Sequence, residues 1–117
     1  MAHLMLLQRS ITVALFLMPH NNSDKKKLAY RSWKANLKYR YGLTAEEYDK
    51  KLFDQSGLCA ICQSPPDGNR RLDVDHNHAT NKVRSLLCMK CNVLLGMFDD
   101  KIEVSQRVVE YLKRWNE

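Results

Sequence analysis

Four cysteines, Cys59, Cys62, Cys88 and Cys91, stand as two C-x-x-C pairs separated by 25 residues. Two intervening residues let both sulfurs of a pair reach one ion, and two such pairs supply the four thiolates of a tetrahedral zinc site. A chain of 117 residues buries only a modest core and gains from such a staple. Disulfides would serve the same end in an oxidising compartment, but no convincing secretory signal precedes the cysteines. Redox chemistry would need only one exposed C-x-x-C at a helix start, and iron–sulfur ligation is the other thiolate alternative. Four thiolates leave no open position for water. The expected zinc is therefore structural, and any catalysis needs a second metal or another group.

The amino terminus reads differently. Residues 4–18 are largely apolar but are interrupted by Gln8, Arg9 and Ser10. The run is short for a membrane span. A signal peptide would carry its charge before the run and a small-residue cleavage site after it. Here Arg9 lies inside the run, and Pro19, His20, Asn21 and Asn22 follow. Residues 1–27 are expected to form a poorly ordered extension and linker, with Met18 an alternative start. A cytoplasmic, reducing compartment and no membrane partner follow from that reading. The net charge of +6 favours a polyanionic partner, although a basic surface also serves solubility alone.

Amphipathic spacing predicts a basic helix over residues 28–42, ending at Gly42, with Trp33 and Leu37 inward and Arg31, Lys34, Lys38 and Arg40 free to meet phosphate. A second helix is predicted to start at Thr44, with Glu47 as its capping-box partner, and to stop near Ser56-Gly57. Tyr48, Leu52 and Phe53 are expected in its core. Residues 28–57 thus form a basic helix and a lead-in helix. Residues 72–76 and 83–87 read as strands joined by a bend. A short helix over 88–97 with Val93, Leu94 and Met97 inward follows, and residues 100–115 form a final helix with apolar Ile102, Val104, Val108, Val109, Leu112 and Trp115.

Between the cysteine pairs lies Arg71-Leu72-Asp73-Val74-Asp75-His76-Asn77-His78. In a regular strand Asp73 and Asp75 share one face, and a twist or bulge near Asp75-His76 would reorient both. Asp75 is a hard oxygen ligand suited to Mg2+ or Mn2+. His76 can take a proton from water. Asn92, directly after Cys91, can offer a carbonyl oxygen to the same cation. These groups suit phosphodiester hydrolysis. The alternatives are a non-catalytic zinc module that binds nucleic acid and a zinc module that binds protein. Each of these residues also has an ordinary structural use: turn acids, a surface histidine, a polar helix residue.

The run from Leu72 to His78, followed by Lys82-Val83-Arg84-Ser85-Leu86-Leu87-Cys88 and Cys91-Asn92, resembles the recombination endonuclease VII family. These are phage members of the HNH, or beta-beta-alpha-metal, nucleases. The resemblance spans roughly residues 43–97 and includes the lead-in around Tyr48. It implies a small α+β fold with a zinc-stabilised HNH-like core at 58–98, flanking helices and a C-terminal helix at 99–117. It assigns the structural zinc to Cys59, Cys62, Cys88 and Cys91, the catalytic Mg2+ or Mn2+ to Asp75 and Asn92, and the general base to His76. His78 matches a second family histidine at the site. Asn77 stands where an acid can occur and is read as a turn residue.

The implied partner is DNA, cut to 5'-phosphate and 3'-hydroxyl ends, inside a bacterium hosting a phage or prophage. Arg70, Arg71, Lys82, Arg84 and Lys90 are candidate phosphate contacts. Two departures bear on the reading. Arg84-Ser85 replaces a common Arg-Gly. The best-known member resolves branched DNA as a domain-swapped dimer built by a long C-terminal region, whereas one helix is expected here. A homodimer and the choice among junction, nick and duplex cleavage stay open.

Overall fold

The computed structural model describes residues 24–116. The expected extension over residues 1–23 lies outside that range. Helix α1 spans Asp24–Tyr41, four residues longer at its start than the spacing predicts. Lys25, Lys26 and Lys27, read as linker, are good helix formers, and Asp24 places a negative charge at the positive end of the helix dipole. The helix ends where Gly42 takes a left-handed conformation, its N–H returning to the Lys38 carbonyl at 2.9 Å.

Helix α2 covers Ala45–Asp54. The expected capping box is formed: the Thr44 hydroxyl accepts from Glu47 N, and Glu47 Oε2 accepts from Thr44 N. Tyr48 and Leu52 are buried, but Phe53 is 71 % exposed, contrary to expectation. It follows Leu52 by one residue, which turns it about 100° from the buried face.

Strands β1 (Asp73–His76) and β2 (Val83–Leu87) pair antiparallel. Asn77 makes the turn, its Oδ1 accepting from Ala79 N and Thr80 N, as its turn reading requires. The register runs Asp73 with Leu87, Val74 with Leu86, then His76 with Val83. Arg84 and Ser85 together therefore stand opposite the single Asp75, a bulge. The Arg-Ser departure from Arg-Gly falls at this bulge, and Ser85 avoids the left-handed region.

Helix α3 (Met89–Phe98) follows with Cys88 as N-cap, and α4 covers Ile102–Trp115. Between them Asp99 and Asp100 both adopt left-handed backbone, so α4 starts two residues later than expected. The inward face of α3 is also corrected. Cys91 and Leu95 meet the core, whereas Val93, Leu94 and Met97 are exposed. The apolar set of α4 likewise faces outward.

The core gathers Leu37, Leu43, Tyr48, Leu52, Leu72, Val74, Leu86 and Leu87 beside Cys59 and Cys91. Burial pushes the Tyr48 phenol up, so it stays protonated and donates to the Leu72 carbonyl at 2.7 Å. Trp33 from α1 meets its ring edge-on at 5.2 Å. The result is a two-stranded ribbon flanked by helices around a four-cysteine cluster, the small α+β arrangement expected of an HNH-like core.

Candidate metal centre and adjoining histidine site

The Cys59–Cys62 turn is fixed by its backbone. Cys59 N donates to Ser64 O at 2.9 Å, and Ala60 N donates to Leu86 O at 3.1 Å, tying the turn to β2. The second pair opens α3, where Cys88 Sγ accepts from Cys91 N at 3.4 Å. All four Sγ atoms lie within 4.8 Å of one another, and Cys62 and Cys88 are 3.7 Å apart. Zinc–sulfur bonds of about 2.3 Å in a tetrahedron require sulfurs about 3.8 Å apart, so the donor set fits one such ion.

The thiols sit in unequal surroundings. Hydrogen bonds from the Ser64 hydroxyl and backbone pull Cys62 down to about 6. Burial pushes Cys59 up, but backbone hydrogen bonds, including the N–H of Ile61, outweigh it and leave it lowered. Burial pushes Cys91 up to about 12. A central divalent cation would favour the thiolate at each position. Among the described residues these cysteines are the group of three or more metal-binding side chains whose ligand atoms converge.

The acid–histidine segment is distributed over several contacts. His76 ends β1 half-buried, its ring 4.7 Å from His78 and 5.7 Å from Tyr41 at the end of α1. Asp75 is only 6 % exposed. The bulge brings Arg84 to it in a two-pronged pair: Nε to Oδ2 at 2.6 Å and an Nη to Oδ1 at 3.0 Å. The same guanidinium reaches Asp100 Oδ1 at 3.1 Å, before α4. Hydrogen bonding to Asp75 raises the Arg84 pKa, so it stays charged. Asn92, in the first turn of α3, donates to Asp73 Oδ2 at 3.4 Å.

Of the expected phosphate contacts, Arg84 is thus turned onto carboxylates, and Arg70 pairs with Asp73 at 2.9 Å. Arg71 stacks over Trp33 with its guanidinium carbon 4.2 Å from the ring centre. Lys82 and Lys90 are exposed. Beside this cluster, a cavity of about 470 Å³ lies between α1 and β1, lined by Trp33, Arg40, Tyr41, Arg70, Asp73 and Asn92 among others.

Two contributors escaped the sequence reading. Tyr41 faces His76, and its place on the inner face was legible in the i, i+4, i+8 series with Trp33 and Leu37. Gln55 holds β2 through its side chain: Oε1 accepts from Leu86 N at 2.9 Å, and Nε2 donates to Leu86 O and Leu58 O. Nothing in the local sequence marks a glutamine for that use.

Known proteins bear on this arrangement. A "Gene 59 protein" of Mycobacterium phage D29 is 42 % identical over 96 residues, covering 81 % of this chain and 58 % of the relative. A "Gene 59 protein" of Mycobacterium phage L5 is 39 % identical over 94 residues, covering 80 % and 57 %. The chain therefore spans little more than half the length of these relatives. No solved structure matches it. The family described as Recombination endonuclease VII matches residues 34–114, which takes in both cysteine pairs, the ribbon and its histidines. By that match, a metal-binding nuclease-like module with its cysteines converged, the chain belongs to the recombination endonuclease VII family.

Proposed function

We propose that the protein is a metal-dependent DNA endonuclease that hydrolyses phosphodiester bonds to 5'-phosphate and 3'-hydroxyl ends. The observation that carries this reading is the half-buried His76, set against His78 and Tyr41 on a ribbon whose base is held by the four cysteines. In this reading Cys59, Cys62, Cys88 and Cys91 bind structural zinc. His76 takes the proton from the attacking water, and His78 supports the scissile phosphate.

Asp75 and Asn92 would hold Mg2+ or Mn2+, which supplies charge stabilisation at the phosphate and leaving oxygens. Their donor chemistry fits a hard cation. Asp75 already attracts positive charge, in the form of the Arg84 guanidinium. With one Arg84 hydrogen bond on each oxygen, Asp75 keeps a second lone pair on each for a cation, and the guanidinium charge competes with it.

The test is a magnesium-dependent cleavage panel on supercoiled, linear and four-way branched DNA, with His76→Ala alongside. Removal of a general base costs about 10²–10⁴-fold in rate. The variant should lose at least that much while retaining one zinc per chain by elemental analysis. Wild-type rates from His76→Ala would refute the base assignment. DNA affinity without product on any substrate would favour a binding module, and neither affinity nor product would favour a protein-binding one.

A further inference from the structure

Helix α1 carries more positive charge than its packing uses. Lys27, Arg31, Lys34 and Lys38 stand at i, i+4, i+7 and i+11, which at 3.6 residues per turn confines them to an arc of about 60°. All four are exposed, and none joins an ion pair among the described residues. Asp24 is the sole acid of the helix. The stripe borders the seam of Trp33, Leu37 and Tyr41 that fastens α1 to the core. Lys38 precedes Tyr41 by one turn, and the Tyr41 ring lies 5.7 Å from His76.

We infer that this stripe is a rail for the phosphates of one DNA strand, leading to the histidine site at the end of α1. From Lys27 to Lys38 the helix rises about 16 Å. One strand of B-form duplex carries about five phosphates over that axial length. Four cations on one line match such a strand in charge and reach, whereas α4 alternates Glu103, Arg107, Glu110 and Arg114 along its charged face. The rail rests on the nuclease reading for its endpoint at His76 but not for its binding, and it supplies affinity without choosing bases.

The experiment measures the affinity of zinc-loaded His76→Ala protein, without added Mg2+, for a duplex of about 20 base pairs across a salt series, so cleavage does not enter. Neutralising the stripe (Lys27→Gln, Arg31→Gln, Lys34→Gln and Lys38→Gln together) should weaken binding at least tenfold at low salt. It should also make the slope of log K against log salt shallower by about 3 to 4, near 0.9 for each phosphate no longer neutralised. A second variant removes the same charge from α4 and its N-cap: Lys101→Gln, Arg107→Gln, Lys113→Gln and Arg114→Gln. It should change the slope by less than about 1 if attraction is local. An unchanged slope in the stripe variant, or an equal change in the second variant, would overturn the rail. A shallower slope in a protein that never cuts DNA would retain the rail while refuting the nuclease reading.

Discussion

At Asp75 a single carboxylate is buried against one guanidinium, and the pairing follows from the bulge that sets Arg84 and Ser85 opposite it. A buried carboxylate that loses its partner is costly, by about 3–5 kcal/mol where the pair is fully enclosed. Arg84 is partly exposed, so a smaller penalty of about 1–3 kcal/mol is expected for Arg84→Ala. If Asp75 is also a metal ligand, Mg2+ should restore part of that stability. Thermal melts with and without Mg2+ check this: Arg84→Ala should melt lower than wild type without metal and gain more from its addition. An equal gain in both proteins would place Asp75 outside the metal site.

The elements join through a small number of polar contacts. Helix α2 grips β2 through Gln55 on Leu86 and through Lys51, whose Nζ donates to the Arg84 carbonyl at 3.1 Å. Gln55→Ala removes three hydrogen bonds and strands the N–H of the nearly inaccessible Leu86, whose carbonyl keeps its bond from Ala60 N. A destabilisation of about 2–3 kcal/mol is expected, read from denaturant unfolding of the metal-loaded protein; a value below about 0.5 kcal/mol would show that water replaces the amide.

Much of this scale was legible beforehand, because caps, cysteine spacing and strand alternation act within a few residues. Thr44 and Glu47 announced the start of α2, and the two C-x-x-C pairs announced the cluster. The rest depended on tertiary choice. Helix α3 is apolar nearly all round, so its sequence could not say which side meets the ribbon, and Val93, Leu94 and Met97 turned outward. The partner of Asp75 depended on a bulge that alternation does not encode. The assignment of Asp75 and Asn92 to one catalytic cation, with His76 as the base, comes from the family pattern and is what the proposed assays test.

For the whole molecule, the feature in need of a partner is the outer side of α3 and α4. Ile102, Val104, Val108, Val109, Leu112 and Trp115 are 36–69 % exposed, and Val93, Leu94 and Met97 add to them. Tyr111 is exposed beside them. A second copy of the chain, applying the same two helices, would offer it an apolar surface of the same kind, and the homodimer is a proposal to be tested. Sedimentation velocity should show a concentration-dependent dimer. Val108→Glu with Leu112→Glu should shift it to monomer without loss of zinc. A wild-type monomer at all concentrations would end the homodimer reading.

The hydrogen bonds at Leu86 bear on how such assemblies can form. Its N–H is taken by Gln55, and its carbonyl by Gln55 and Ala60, so the outer edge of β2 has no free ladder there for a third strand. The ribbon is closed on that side to sheet extension. An amyloid-like route through that edge of β2 is blocked for as long as α2 and the cysteine turn stay in place.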